Sequence, residues 1–428
     1  MTQPSNALPD TSCAEHGKWT PVPAAPPADL ARFTLRLADI DPAEDARIAQ
    51  SGVMSFHAVG CSGDYSDHAP QQAVADAMAA QVEDAGTAGR PGTPAVPASF
   101  FYQLGDVVYM DENKSNLLRN EQSAMYNDQL YAPYTRYGRS IFALAGNHDG
   151  KTHATGEHSS DPAHSAVAHF LQNFCAARRE QSPDNRTDER PCMTQPYVYW
   201  RLSTPLAEVI GLYANIANAG MLDDPAQLEQ PQYRWLVAQL SDIRRSAAGA
   251  RKALLLAVHY PAYSGVYNFR ERGDPTLAET PGAANATPLG AVLQRAFVES
   301  GRRPDAILSA HTHLYQRLTY RYADGWELPC LVAGSGGHAP VSSIRHQCDD
   351  SLGPPRGVPF DSVLPRGEQL APGDRVQVVA FNDQSFGFLR LTIAGRVLTG
   401  EFFTAGPSAG PALSDSFILD MDAHRMGA

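Results

Sequence analysis

From Ser51 onward, short apolar runs recur along the chain. Each closes on a glycine-containing turn or a polar residue and is followed by a helical or polar stretch. The runs are MSFHAVG (54–60), SFFYQLG (99–105), SIFALAG (140–146), KALLLAVH (252–259) and DAILSAH (305–311). Continuous apolar character without alternation predicts strands buried on both faces, as in a largely parallel sheet. Residues 71–85, 231–245 and 288–300 lie between or beside such runs and carry helical patterns. Strands alternating with helices predict an α/β architecture. The C-terminal part differs. Residues 375–382, 386–395 and 396–405 alternate and follow one another with no helix between, which predicts antiparallel strands.

The same pattern divides the chain. Residues 1–50 are rich in Pro and Ala with one short periodic stretch, ARFTLRLADI, and predict a loosely packed extension. Residues 51–405 predict the main domain, and 406–428 a C-terminal tail. Three polar or Gly/Pro-rich insertions, near 151–196, 261–287 and 338–373, follow candidate site strands and are expected to form a pocket rim. The first carries His153, His158, His164 and His169. Those histidines lack ligand spacing with a carboxylate partner and read as solvated loop residues.

The chemistry sits where the runs end. SFFYQLG is followed by Asp106, SIFALAG by Asn147-His148-Asp149, KALLLAV by His259, and DAILSA by His311-Thr312-His313. Loops at the carboxyl ends of strands converge in open α/β sheets, and oxygen and imidazole donors together suit first-row metals. A carboxylate has two oxygens, so Asp106 can bridge two ions. Asn147 offers a neutral carbonyl oxygen, and His259, His311 and His313 offer imidazole nitrogens. On an extended segment His311 and His313 would point the same way. His148, beside a ligand, is the choice to bind a phosphate or protonate a leaving group. Any one of these signals is weak; their recurrence at successive strand ends is the argument.

These segments resemble the calcineurin-like metallophosphoesterase family, and within it the purple acid phosphatases. The matching stretches are GDVVY (105–109), GNHD (146–149), VHYPAYS (258–264) and AHTHLYQR (310–317), with Ala310 where the family usually has Gly. Weaker matches are the QYRWLVAQL helix, the LVAGSGG turn and the strand FGFLRLTIAG. The likeness spans roughly residues 53–405. It implies a four-layer αββα sandwich, a centre of two divalent or trivalent ions (Fe with Zn, Mn or Fe) and a small phosphate-ester substrate. Tyr109 stands where purple acid phosphatases carry a tyrosine whose phenolate binds ferric iron. One departure stands out. The family's first motif ends in Gly-Asp-x-Gly, whereas MSFHAVG leads into Cys61-Ser62-Gly63-Asp64, with Cys61 in the aspartate's register. Three readings follow: Cys61 ligates as thiolate, Asp64 swings in, or the first site is empty and the centre holds one metal.

Charge and cysteines narrow the class. The net charge of −12 disfavours general binding to nucleic acid or anionic membranes. None of the six cysteines forms a CxxC pair, so no zinc ribbon or thioredoxin-like motif is indicated. The N-terminus has neither a basic nor an apolar leader region, and no stretch has the apolar length of a spanning helix. Cytoplasm is the default location, although a leaderless export route would leave no such mark. Oligomeric state is not legible. The GSGGH segment (334–338) lacks the Lys-Ser/Thr of a P-loop and reads as a tight turn lining the pocket. Arg270, Arg272 and Arg345 read as solvated rim residues. Two competing readings remain: a catalytically weak binding protein, motivated by the missing aspartate, and a thiol-dependent enzyme using Cys61.

Overall fold

The computed structural model describes residues 33–84, 89–109, 125–150, 165–187, 189–214, 229–247, 249–266, 289–344, 360–361, 370–406 and 409–427. In chain order the strands begin with β1 (Thr34–Arg36), β2 (Val53–Val59), β3 (Ala98–Gln103), β4 (Ser140–Ala143) and β5 (Trp200–Ser203). Then come β6 (Ala207–Leu212), β7 (Ala253–Val258), β8 (Ala306–Ser309), β9 (Tyr315–Arg321), β10 (Glu327–Ala333) and β11 (Phe360–Asp361). Last are β12 (Arg375–Asn382), β13 (Gly387–Ala394), β14 (Val397–Gly406), β15 (Ala409–Asp420) and β16 (Arg425–Gly427). They form two sheets. One has nine strands in the order β1-β5-β6-β7-β8-β10-β9-β12-β11; the other has seven, β16-β15-β14-β13-β2-β3-β4.

The expected parallel runs are therefore shared between two sheets. β2, β3 and β4 are parallel neighbours in one; β6, β7 and β8 are parallel neighbours in the other. Large rings join the facing sheets. Tyr102 of β3 stacks on Trp200 of β5 with centroids 5.9 Å apart, Phe142 of β4 lies 5.7 Å from the same ring, and Tyr315 of β9 stacks on Phe402 of β14 at 4.0 Å. Helix Ala69–Glu83 packs on β3, β13 and β14. Helices Glu229–Arg245 and Leu289–Ser300 pack together, with Arg295 over the Tyr233 ring. Trp235 of the former sits against Phe33 and Tyr199 at the nine-stranded sheet. The layers are helix, sheet, sheet, helix.

Two boundaries differ from the sequence reading. Residues 33–51 are not a loose extension: β1 pairs in parallel with β5, and Phe33, Leu35, Leu37 and Ile48 are core residues. Helix Pro42–Ser51 is well delimited, since the Asp41 side chain accepts from Glu44 N–H, Pro42 opens the first turn, and Gly52 closes it at φ 66°. Residues 1–32 lie outside the described residues. The expected tail also folds, because β15 pairs with β14 and β16 with β15, extending the sheet edge. The C-terminal strands are antiparallel but not all consecutive in space: β12 joins β9 in one sheet, while β13 and β14 pair in the other. Of the three insertions, 151–164, 267–287 and most of 345–369 lie outside the described residues; within the first, helix Ala166–Phe174 packs with Val167, Phe170 and Phe174 buried, and His169 is a buried helix residue 3.3 Å from Asp184 Oδ2 rather than a solvated loop residue.

His57, in the middle of β2, is fully buried. Its Nε2 lies 3.0 Å from Gln81 Oε1 and its Nδ1 3.0 Å from the Tyr137 hydroxyl. A neutral ring satisfies both, donating to Gln81 and accepting from Tyr137. Burial pushes its pKa down to about 3. The unfolded chain therefore binds a proton here that the native state refuses, between the ordinary value of about 6.5 and the folded one. Stability is unaffected by His57 at pH 7 and falls as pH drops below about 6.5, by up to about 1.4 kcal/mol per pH unit. His57→Gln is expected to flatten that part of the curve. Chemical denaturation from pH 7 to 4 checks it, and an unchanged slope would remove His57 as the cause.

Candidate metal centre

The carboxyl ends of both sets of parallel strands meet at one place. Backbone hydrogen bonds lace them together: Gly60 N–H donates to Ala333 O, Cys61 N–H to Gly105 O, Ser62 N–H to Asp106 O, and Ala310 N–H to His259 O. Three residues at these ends, Cys61 (φ 51°), Asp106 (φ 56°) and His311 (φ 61°), hold the left-handed conformation that side chains rarely adopt. Such geometry costs about 1–3 kcal/mol each and gathers at functional sites. It turns each chain sharply off its strand. Gly105 and Gly146 allow the loops to touch: a Cβ on Gly105 would sit 2.4 Å from His259 Nδ1, and one on Gly146 would overlap Asp106.

Cys61, Asp106, Tyr109 and His259 form the buried floor. Asn147, His148, His311, His313 and His338 are half-buried around it. Asp106 is the hub. Its Oδ2 lies 3.2 Å from His259 Nε2 and accepts from the Tyr109 hydroxyl at 3.0 Å. Its Oδ1 accepts from His148 N–H at 2.9 Å. Asn147 Oδ1 lies 3.1 Å from His259 Nε2 and 3.0 Å from His311 Nδ1. The Tyr109 hydroxyl is also 3.1 Å from His313 Nε2. Donor atoms of Cys61, Asp106 and His259 fall within 4.8 Å of one another.

The donor chemistry fits a cation. His259 Nδ1–H donates to Leu104 O at 2.8 Å, which leaves a lone pair on Nε2. That lone pair faces oxygens of Asp106 and Asn147, so three electron-rich atoms converge with no proton between neutral partners. A proton or a metal ion resolves the conflict. The protein's own charges point the same way. Burial opposes a charge on His259, but the Asp106 carboxylate, by charge and hydrogen bond, holds its pKa above the ordinary value. Burial raises the Asp106 pKa, yet His259 and His148 and the hydrogen bonds to them draw it well below the carboxylate range. Burial, with Asp106 beside them, pushes the Cys61 thiol and the Tyr109 phenol up, so each needs a cation to become an anionic ligand.

Every site residue expected from the sequence lies at this place. The reason given for His311 and His313 is corrected, because their segment is not extended. His311 is left-handed, and Thr312 N–H and Leu314 N–H donate back to Ala310 O and Thr312 O at 2.7 Å. The two rings reach different partners, Asn147 and Tyr109. Asp64 does not swing in. Its Oδ1 accepts from Ser66 N–H, Ser66 Oγ–H and Asp67 N–H, and its Oδ2 from Ala339 N–H.

Three supports were not read from the sequence. Asp149 is buried and accepts from Val107 N–H at 2.6 Å and from Gly146 N–H, tying the Asp106 loop to the Asn147 loop. Gln129 grips Tyr109 from both sides, accepting from its N–H at 2.8 Å and donating to its carbonyl at 2.9 Å. His338 stacks on Tyr109 with centroids 3.6 Å apart. The signal for His338 was present: Gly334 follows β10, as Gly60, Gly105 and Gly146 follow β2, β3 and β4.

Residues 54–315 match the calcineurin-like phosphoesterase family, and the chain belongs to it. No curated protein matches the sequence. Two solved structures are similar: GAP50, "the anchor in the inner membrane complex of Plasmodium", at 13% identity over 85% of this chain and 87% of that one with a TM-score of 0.44, and PhoD at 14% identity over 88% and 71% with a TM-score of 0.49. Among the described residues no helix is long and apolar enough to cross a membrane.

Proposed function

We propose that this protein hydrolyses small phosphate esters with a metal-activated water, and that Asp106, Asn147, His259, His311, His313, Tyr109 and Cys61 supply the metal ligands. The observation that carries the reading is the convergence of the His259 Nε2, Asp106 and Asn147 lone pairs. When bound, the metal supplies positive charge that activates a water and neutralises the phosphoryl oxygens. The protein's part is preorganisation. Asp106 is fixed by the Tyr109 hydroxyl and by His148 N–H; His259 is fixed by the Leu104 carbonyl. His148 lies half-buried at the site with its ring 4.3 Å from that of Tyr109. From there it meets a substrate phosphate or gives a proton to the departing oxygen.

Tyr109 at hydrogen-bond distance of Asp106 and His313 favours a purple acid phosphatase-like centre containing Fe(III), because a phenolate is a hard donor. Cys61 favours a softer ion. Metal content per chain with a visible absorption spectrum on the same sample separates these. Two metals with a phenolate-to-iron band support the purple acid phosphatase-like reading. One metal without the band supports a mononuclear hydrolase or a binding protein.

Cys61→Asp is expected to tighten the first site by restoring a carboxylate in the family's register, and so to raise metal retained after dialysis. A lower content would make the thiol the better ligand and place a thiophilic ion there.

A further inference from the structure

Two features stand outside this mechanism: Asp64, left over by the departure at Cys61, and His338, at the end of the Gly334-Ser335-Gly336-Gly337 turn. The fold packs their segments into one unit. Gly336 N–H donates to Gly60 O at 3.1 Å, and His338 N–H to Cys61 O at 3.0 Å. Ala339 N–H donates to Asp64 Oδ2 at 3.0 Å. Only glycine permits this approach. A Cβ on Gly336 would lie 2.5 Å from Gly60 O, one on Gly337 2.5 Å from Ser62 O, and one on Gly63 2.5 Å from Val107 O.

The side chains complete the unit. His338 Nδ1 lies 3.2 Å from Asp64 Oδ2 and 3.2 Å from Gly63 O. Two acceptors at one nitrogen place the ring proton there. Asp64 is itself held by Ser66, Asp67 and Ala339, so a fixed carboxylate stands beside the imidazole that the Gly63 carbonyl holds. The anchored ring lies flat on Tyr109, 3.6 Å away with an interplanar angle of 10°, and meets His313 edge-on at 4.8 Å. The His148 ring lies 4.3 Å from the Tyr109 ring. Gln129 fixes the Tyr109 backbone, and the imidazole packs on its ring.

We propose that His338, held at the Gly63 carbonyl with the Asp64 carboxylate beside it, is a positioning residue that holds the Tyr109 ring so that its hydroxyl stays between Asp106 and His313. The substitution of Cys61 for aspartate and the GSGGH turn then belong to one arrangement, in which the acidic residue three places on serves the tyrosine rather than the metal. The proposal rests on the function proposed above only in treating Tyr109 as a ligand.

The test is nitration of Tyr109 by tetranitromethane in chelator-stripped protein, read at that residue by peptide mass mapping, with circular dichroism to verify folding. Wild type is expected to protect Tyr109. His338→Ala is expected to expose it, and His338→Phe, which restores a flat ring without the hydrogen bond, to recover protection. Asp64→Ala, which leaves the ring and its bond to the Gly63 carbonyl in place, is expected to expose Tyr109 less than His338→Ala does. In metal-loaded samples, metal affinity should fall about tenfold in His338→Ala, the scale of losing a ligand's support, and recover in His338→Phe. Protection unchanged in His338→Ala, or no rescue by phenylalanine, would overturn the positioning role. Wild type that never binds metal, yet shows the nitration pattern, would remove the proposed function and leave the positioning role standing.

Discussion

Asp106→Asn is expected to give a folded protein that loses its metal and whose turnover falls by about 10²–10³, the scale of removing a preorganised charge-stabilising group. The carboxylate is 1% exposed and touches His259, Tyr109 and the His148 backbone at once. Asparagine keeps its shape and can still accept from His148 N–H. It loses the negative charge that would offset an ion in a buried site and the second anionic oxygen that would let one side chain bridge two ions. Elemental analysis with a melting curve on the same sample checks this. Unchanged metal stoichiometry would sink the bridging role of Asp106.

His148→Ala should have a comparable effect on rate by a different route. Metal is expected to be retained, because the contact His148 makes with the Asp106 carboxylate is through its backbone N–H, which alanine preserves. Turnover should drop by about 10²–10⁴, the usual contribution of a positioned acid or base. Leaving groups divide its two possible duties. If the imidazole protonates the departing oxygen, the loss should be far larger for an alkyl phosphate than for p-nitrophenyl phosphate, whose leaving group needs no proton. Equal losses would assign it to binding the phosphate, and wild-type turnover would remove it from the mechanism.

The convergence of the candidate residues was legible because it obeys a rule of position. Asp106, Asn147, His259 and His311 each follow an apolar run, and buried parallel strands deliver their carboxyl ends to a common edge. What strand position cannot convey is backbone hand. The left-handed residues Cys61, Asp106 and His311 are side-chain-bearing residues in a conformation that sequence favours only for glycine, so an extended geometry for His311 and His313 was the natural and incorrect inference. Asp149 and Gln129 were hidden for another reason: they act on backbone N–H and carbonyl groups brought close only by the fold.

Much of the fold was legible on the same ground, and its misses have physical causes. β1 has three residues and the helix after it, Leu37–Ile40, has four, so the one periodic stretch there, ARFTLRLADI, was too short to outweigh the Pro- and Ala-rich sequence around it. The stretch still docks, because Phe33 stacks on Tyr199 at 5.3 Å and Leu37 is sealed from solvent. β12, β13 and β14 were correctly read as strands, yet alternation along a strand does not say which sheet accepts it. Arg317 of β9 pairs with Asp415 of β15 across the two sheets, a contact between distant residues that no local pattern announces.

The most direct measurement is hydrolysis of p-nitrophenyl phosphate before chelation, after exhaustive chelation and after metal add-back, with metal content followed throughout. The account predicts that activity disappears with the metal and returns with it. Turnover that persists in protein shown to be metal-free, and that alkylation of Cys61 abolishes, would contradict it and make this a thiol enzyme on a phosphoesterase fold.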